Sequence, residues 1–171
     1  MISILFPDSY VGNVFEIDYA ELRDKGIKII FFDIDNTLMP FDIKGPSPEV
    51  LSLFKYIQTN GIEIAFVSNN NKERVDAFNE GLDFKTVGKA DKPLPFKLLK
   101  ILKSSGFMRK QAVIIGDQVF TDVLCGKLSG VHSILVKPIT IRDQFSVKLK
   151  RGAERLVLKR YMKMKSKKTP I

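Results

Sequence analysis

Two carboxylates one residue apart, Asp33 and Asp35, follow an apolar run of Ile and Phe at residues 29–32. The run predicts a strand buried on both faces, and such a strand has no structural need for acids at its end. Because strand side chains alternate, the two acids are expected on one side, where their like charges repel and favour a bound cation. Asp and Asn are also common turn residues, so a metal and phosphate site needs support from the rest of the chain.

Strand and helix signals alternate along the chain after residue 26. Apolar runs predict four further strands, at 62–67, 84–87, 112–117 and 132–136. Helical patterns separate the strands, at 48–60, 72–80, 96–106 and 121–128. This alternation is typical of a three-layer, Rossmann-like α/β protein, with an open, mainly parallel sheet of five strands and helices on both faces.

Polar residues follow these strands at one end of the predicted sheet. In open parallel sheets, ligands bind beyond the carboxyl ends of the strands. The residues that share this position are Asp33, Asp35, Ser68, Asn69, Lys92 and Asp117. Each could serve separately as a turn or cap residue, but chance would seldom bring so many to one edge.

The residue types at this edge suit phosphate ester hydrolysis. A carboxylate such as Asp33 can attack phosphorus and form an aspartyl-phosphate, which divides hydrolysis into two easier steps. Both reactants are anionic, so Mg²⁺ held by the oxygen atoms of Asp33 and Asp117 would remove the repulsion between them. Lys92 can balance the phosphate oxygens as a point charge.

Further residues are expected to hold the phosphate and move protons. The Ser68 hydroxyl, with Asn69 beside it, and the backbone N–H groups of the 35–38 turn, which includes Asn36 and Thr37, can bind the phosphate oxygens. Asp35 is suited to protonate the leaving oxygen and later to deprotonate the attacking water.

Four segments in this order resemble the four motifs of the haloacid dehalogenase (HAD) superfamily of phosphatases, and the match spans about residues 27–137. The segments are Asp33-Ile34-Asp35-Asn36-Thr37, Val67-Ser68-Asn69, Lys92, and Gly116-Asp117-Gln118-Val119-Phe120-Thr121-Asp122. The resemblance implies a HAD fold, an aspartyl-phosphate mechanism and Mg²⁺ as cofactor.

The resemblance also assigns roles. Asp33 is the expected nucleophile and metal ligand, and Asp35 is the expected acid and base, with its backbone carbonyl as a further ligand. Asp117 is expected to bind the metal directly and Asp122 through water. Lys92 is expected as the third-motif lysine, in preference to Lys89, because it directly precedes Pro93.

A narrower resemblance concerns one small branch of the superfamily. The segments 5–7, 92–96 and 117–123 and the basic end are similar to subfamily IIIA, which includes YqeG-like proteins and the mitochondrial type of phosphatidylglycerophosphate phosphatase. About thirty residues separate the first two motifs and about twenty-four the next two, which leaves no room for an inserted cap domain. An open crevice suits a phosphate on a large or embedded substrate.

The net charge of +9 arises at the C-terminal end. Residues 142–171 hold eleven of the 28 Lys and Arg and two of the 19 acids, which leaves seventeen of each sign before them. The pattern from Asp143 to Lys165 predicts an imperfect basic amphipathic helix, suited either to an anionic surface or to packing on the sheet. Its expected basic face holds Lys148, Arg155, Lys159 and Lys163, opposite Leu149, Ala153, Leu156, Val157, Tyr161 and Met164.

The sequence thus predicts a lead-in at 1–26, a capless HAD core at 27–141 and a basic helix and tail at 142–171. We expect a cytoplasmic phosphatase, peripheral at the inner face of the membrane, because there is a single Cys, no signal peptide and no membrane-spanning run. Phosphatidylglycerophosphate is the first expected substrate. The alternatives are a soluble nucleotide or sugar phosphate, or an RNA- or ribosome-binding protein, which the sparse aromatic residues of the tail disfavour.

Overall fold

A computed structural model describes residues 2–140 and 145–166 and places six parallel strands in one sheet. The strands are β1 (Ser9–Val11), β2 (Ile29–Phe32), β3 (Glu63–Val67), β4 (Lys85–Val87), β5 (Ala112–Gly116) and β6 (His132–Val136). Their order across the sheet is β1-β6-β5-β2-β3-β4. The residue that follows β2 therefore lies at the centre of the sheet, between the ends of β3 and β5.

Helices cover both faces of the sheet. They are α1 (Tyr19–Asp24), α2 (Pro48–Thr59), α3 (Lys72–Asn79), α4 (Phe96–Ser104), α5 (Leu124–Ser129) and α6 (Phe145–Ser166). Residues of β2 alternate between two apolar cores: Ile30 and Phe32 pack with α1, α2 and α3, whereas Ile29 and Phe31 pack with α4 and α5. The predicted α/β class with three layers is confirmed, and all the described strand pairs are parallel.

The sheet has one strand more than the sequence predicts. The additional strand, β1, lies in the expected lead-in and pairs with β6. Its three residues are too short a run to give an alternating signal. Asp8 fixes its start, because the Asp8 carboxylate accepts hydrogen bonds from the Ser133 N–H and hydroxyl at 2.9 and 2.8 Å.

The segment after β5 also differs from its prediction in detail. A helix is expected over 121–128, whereas a π-helical turn at Val119–Val123 precedes α5. This turn begins two residues after Asp117 and contains Asp122, so both acids lie next to irregular backbone. π-Helical turns occur often at functional sites.

The C-terminal basic segment forms the helix α6, as expected. Its predicted start at Asp143 lies outside the described residues, as do the side chains of Lys148 and Leu149. No helix within the described ranges is long and apolar enough to cross a membrane.

Candidate active site

Three buried carboxylates meet beyond the ends of β2 and β5. Asp33, Asp117 and Asp122 each offer an oxygen atom within 4.8 Å of the others, and at most 7% of each residue is exposed. The Asp33 N–H donates to the Ile115 carbonyl at 2.9 Å, which continues the β2–β5 ladder and fixes the acid beside β5. The structure thus brings together the three acids that the sequence predicts as metal ligands.

Lys92 lies among these acids. Its ammonium group donates to Asp33 Oδ1 at 2.7 Å and to Asp122 Oδ1 at 2.6 Å, and only 2% of its side chain is exposed. Lys89, the competing candidate, is exposed at the surface. The expected choice of Lys92 therefore agrees with the geometry of the described residues.

Charge is out of balance in this cluster. Two unit charges 4.8 Å apart repel by roughly 3 kcal/mol at an effective dielectric constant of about 20, and three acids face the one ammonium group of Lys92. Burial, together with the charges of Asp122 and Asp117, raises the pKa of Asp33 well above its usual range, although Lys92 opposes this rise. Burial lowers the pKa of Lys92, but Asp122 and Asp33 outweigh it and raise that pKa above its usual value.

The cluster has the composition of a site for a hard divalent cation. Carboxylate oxygens are the ligands that Mg²⁺ and similar ions prefer, and a cation among them would offset the excess negative charge. The buried donor set of Asp33, Asp117 and Asp122 therefore fits the expected metal. We expect that these acids would hold it.

Asp35 lies apart from this cluster. Its Oδ1 accepts from Arg74 Nε and Nη2 at 3.1 and 2.9 Å, and its Oδ2 accepts from Asn70 Nδ2 at 3.0 Å. Arg74 Nη1 also donates to the Lys44 carbonyl at 2.6 Å, which joins the loop after the first motif to α3. The expectation that Asp35 crowds Asp33 is wrong, because the acids grouped with Asp33 are Asp117 and Asp122. These two acids, and not Asp35, are the ones that raise the pKa of Asp33.

The turn after Asp35 is occupied by its own hydrogen bonds. The N–H of Asn36 donates to the Met39 carbonyl at 2.7 Å, and those of Thr37 and Leu38 donate to the Ile34 carbonyl. These three N–H groups thus already have backbone partners, and phosphate binding by the turn at 35–38 stays a prediction. Among the described residues, no hydrogen-bond partner reaches the buried Thr37 hydroxyl, which leaves that group for a ligand or water.

Asn36 joins two parts of the chain. It adopts a left-handed conformation, with φ of 61°, which Asn tolerates better than most residues. Its side-chain oxygen accepts from the Thr140 hydroxyl at 2.8 Å, and its carbonyl accepts from the Ile139 N–H. These contacts tie the first motif to the segment after β6, and phosphate binding by Asn36 stays a prediction.

The second motif connects the others. Ser68 is buried, and its hydroxyl oxygen accepts from the Asn70 N–H at 3.1 Å. Asn69 binds the backbone of Lys92 on both sides: its Oδ1 accepts from the Lys92 N–H at 2.7 Å, and its Nδ2 donates to the Lys92 carbonyl at 3.0 Å. In this structure Asn69 therefore orients Lys92, and contact with phosphate stays a prediction for both residues.

Two contacts fix Asp122 in addition to Lys92. The Gln118 N–H donates to Asp122 Oδ2 at 3.0 Å, and the Asp122 N–H donates back to the Gln118 carbonyl at 3.0 Å. Gly116 lies directly under the carboxyl group, where an added Cβ would be only 2.2 Å from Asp122 Cγ. The fourth motif therefore needs Gly at this position for steric reasons.

Sequence reasoning missed Asn70, Arg74 and Glu154, all of which contact motif residues. Glu154 Oε1 accepts from the Val119 N–H at 2.7 Å. Periodicity carries no signal for Arg74. Glu154, however, is the single acid of residues 145–171 and is buried on α6, so its type and position could have indicated a role.

The fold and this site together define a class of hydrolase. A family model described as haloacid dehalogenase-like hydrolase matches residues 41–136, which include Ser68, Lys92 and both acids of the fourth motif. The chain therefore belongs to the HAD-like hydrolase family. The matched range begins after Asp33 and so does not include the first motif. In the structure, however, Asp33 follows β2 and lies beside Asp117 and Asp122.

Individual proteins agree with this assignment. The Bacillus subtilis (strain 168) protein named probable phosphatase YqeG is 36% identical over 152 residues, which are 89% of this chain and 88% of that protein. The Arabidopsis thaliana protein named phosphatidylglycerophosphate phosphatase 1, chloroplastic/mitochondrial, is 25% identical over 93% of this chain, which spans 49% of that protein's length. The predictions of a YqeG-like resemblance and of a HAD-type phosphatase are confirmed at this level.

A solved structure supports the fold. The crystal structure of a haloacid dehalogenase-like hydrolase from Bacteroides fragilis superposes with a TM-score of 0.57 at 17% identity. It covers 71% of this chain and 93% of that protein. At this identity the likeness concerns the fold alone.

The raised pKa of Asp33 predicts a dependence of stability on pH in the metal-free protein. Between the ordinary carboxyl pKa and the raised one, the folded state binds a proton that the unfolded state lacks, so stability is lost as pH rises through this window. We expect the thermal midpoint of the wild type, relative to that of Asp33→Asn, to fall from pH 5 to pH 8. Saturating Mg²⁺ should reduce this fall. A pH dependence as steep in Asp33→Asn as in the wild type would contradict the assignment.

The contact between Gly116 and Asp122 predicts a specific steric effect. In Gly116→Ala the new methyl group must displace the Asp122 carboxyl group from Lys92 and the Gln118 N–H. We expect Mg²⁺ affinity, measured by isothermal titration calorimetry, to fall by about 10- to 100-fold. Gly152→Ala is the control, because its Cβ would meet nothing within 4 Å. Equal affinities of the two variants would show that the site tolerates the methyl group.

Proposed function

We propose that this HAD-family phosphatase hydrolyses a phosphate monoester through an aspartyl-phosphate on Asp33, and that phosphatidylglycerophosphate is its substrate. The observation that carries the proposal is the buried contact of Asp33 with Lys92 beside Asp117 and Asp122. A binding protein would gain nothing from an isolated buried cluster of this kind, since burying charge is costly. A nucleophile, a counter-charge and metal ligands need this arrangement.

The chain's own groups account for both half-reactions. A carboxylate oxygen of Asp33 attacks phosphorus, and the bond from phosphorus to the leaving oxygen breaks while Asp35, held by Arg74 through Oδ1 and protonated on Oδ2, gives that oxygen its proton. Water then attacks the phosphoryl group and gives a proton to Asp35, and inorganic phosphate departs with the carboxylate of Asp33 restored. Lys92 orients the Asp33 carboxylate and balances the phosphate charge.

The cofactor in this proposal is Mg²⁺. Asp33, Asp117, the backbone carbonyl of Asp35 and, through water, Asp122 would hold it. When bound, it would neutralise negative charge on the nucleophile and on the phosphate. Ser68 and Thr37 would bind the phosphate oxygens. Ser68 is next to Asn69, which binds the backbone of Lys92 and so brings the second motif to the site. The Thr37 hydroxyl is buried without a partner among the described residues.

Several features support a lipid substrate. The relative from Arabidopsis thaliana carries phosphatidylglycerophosphate phosphatase in its name. No described element between residues 33 and 117 forms a cap domain, so a core at 27–141 would leave the site open to an embedded phosphate. Large apolar side chains are also exposed in the segments that follow the first and third motifs: Phe41 (41%), Ile43 (43%), Leu94 (50%) and Phe96 (71%). Apolar residues in such positions suit contact with the lipid around the headgroup.

The outer face of α6 supports an anionic surface as partner. The side chains exposed there include Arg155, Lys159, Arg160, Lys163 and Lys165. The predicted apolar side is wrong in part, because Leu156 and Met164 are 64% and 40% exposed, whereas Val157, Leu158 and Tyr161 pack inward. Exposed basic and apolar residues together favour a phospholipid surface at the inner face of a membrane.

The first test of the proposed function measures phosphate release from phosphatidylglycerophosphate in mixed micelles and from a panel of nucleotide and sugar phosphates. We expect Mg²⁺-dependent activity, with the lipid preferred, and a fall of about 10³-fold or more in Asp33→Asn. Activity that persists in Asp33→Asn would reject the nucleophile. A preference for soluble esters would reject the lipid, and no activity on any ester would favour a binding protein.

A second test concerns Asp35 and its contact with Arg74. General acid catalysis matters most for a poor leaving group, and kcat/KM reports only the first half-reaction, so Asp35→Asn should lose about 10²- to 10⁴-fold in kcat/KM on an alkyl phosphate. The loss on nitrophenyl phosphate should be much smaller, because nitrophenolate leaves without a proton. Arg74→Ala should show the same selectivity more weakly, and the exposed control Asp42→Asn should show none. Equal losses in kcat/KM on both esters would remove Asp35 from the role of general acid.

A third test concerns α6. We expect Lys159→Ala/Lys163→Ala to bind phosphatidylglycerol vesicles about tenfold or more weakly than the wild type, because each Lys near a lipid surface contributes about 1 kcal/mol. The double variant Lys28→Ala/Lys110→Ala removes the same charge from exposed positions before β2 and β5, at the opposite edge of the sheet from the site, and should bind nearly as the wild type does. Equal weakening of both in a vesicle sedimentation assay would reject α6 as the contact surface.

A further inference from the structure

A carboxylate on the C-terminal helix holds the backbone of the fourth motif. Glu154 Oε1 accepts hydrogen bonds from the N–H groups of Val119 at 2.7 Å and Phe120 at 3.4 Å. Only 4% of Glu154 is exposed. A buried carboxylate is costly unless it is well bonded, so this contact is a strong constraint on the turn.

The turn needs an acceptor from elsewhere in the chain. The first N–H groups of a helical segment have no partner within that segment. Gln118 directly precedes the π-helical turn, but its side chain does not accept a hydrogen bond from these N–H groups. Glu154, more than thirty residues later in the sequence, supplies the missing acceptor. Its charge makes the hydrogen bonds stronger than those of a neutral cap.

Packing fixes Glu154 in this position. Val157 and Leu158, one turn further along α6, contact the apolar cluster of Val119, Val123 and Leu135. Tyr161, another turn along, is buried, with its ring centroid 5.8 Å from that of Phe6. Apolar contacts of the two turns that follow Glu154 therefore hold the helix against the segment that it caps.

The same turn sets the separation of the two acids of the fourth motif. Asp117 precedes it and Asp122 lies within it, and Gln118 joins its two ends through hydrogen bonds to Asp122. A shift of the Val119 and Phe120 N–H groups would therefore move Asp122 relative to Asp117. We infer that Glu154 is a positioning residue for these acids, so that α6 is a part of the metal site; this inference rests on the function proposed above.

Direct measurement of metal binding to the full chain tests the inference. Glu154→Met keeps the volume and removes both acceptor oxygens, whereas Glu154→Gln keeps one oxygen without the charge. We expect the Mg²⁺ dissociation constant from isothermal titration calorimetry to rise by about tenfold or more in Glu154→Met. The rise in Glu154→Gln should be smaller. Leu53→Ala, a core truncation on α2, should lower the thermal midpoint and leave the dissociation constant within about twofold of the wild type.

Each outcome decides between positioning and a purely structural role. A folded Glu154→Met that binds Mg²⁺ within about twofold of the wild type overturns the inference alone. If the wild type itself binds no Mg²⁺, the proposed metal site fails and the inference fails with it. If Glu154→Met does not fold, hydrogen exchange in the wild type decides: Mg²⁺ should slow the amides of Val119 and Phe120, because coupling between two sites is reciprocal. Unchanged exchange overturns the inference.

Discussion

The buried ammonium group of Lys92 is the interaction on which the site depends. It bonds Asp33 and Asp122 at 2.7 and 2.6 Å in a region from which water is largely excluded. Without it, three acids would meet in a low-dielectric pocket, and the repulsion of roughly 3 kcal/mol per ionised pair would favour protonated acids or an altered backbone. Lys92 thus keeps a potential nucleophile and a metal ligand close together before any cation or substrate arrives.

The loop after β3 connects Lys92 to the first and second motifs through hydrogen bonds. The side chain of Asn69 bonds both backbone groups of Lys92, and the next side chain, Asn70, bonds Asp35. Ser68 is fixed between them by backbone bonds to Val87 and Ala90. The two asparagines therefore set the positions of the counter-charge and of the proposed acid and base, which explains why this loop is rich in polar side chains.

The sequence predicted the parts of the site that follow from strand patterns. Apolar runs identified the strands around Asp33, Ser68 and Asp117, and the parallel arrangement then required their carboxyl ends to share one edge. The features that the sequence could not predict depend on tertiary contacts between distant segments. Whether Asp35 faces Asp33 or Arg74 is decided by the turn at 35–38 and by the approach of α3, and neither leaves a periodic signal. The strand β1 was missed for a related reason, since its pairing depends on Asp8 and Ser133 rather than on a long apolar run.

The C-terminal helix illustrates how two roles can share one element. Glu154, Val157, Leu158 and Tyr161 recur at spacings of three, one and three residues, so they form a single stripe along α6 that faces the core. The basic residues whose side chains are described, Arg155, Lys159, Arg160, Lys163 and Lys165, lie outside that stripe and are exposed, with the Lys165 ammonium group 5.4 Å from the centroid of the Tyr161 ring. Packing on the sheet and contact with an anionic surface are therefore not alternatives, because they use different faces. The one acid of the helix lies on the inner face, where it meets the backbone of the fourth motif, so the helix that would meet the surface is the same one that caps the turn between Asp117 and Asp122.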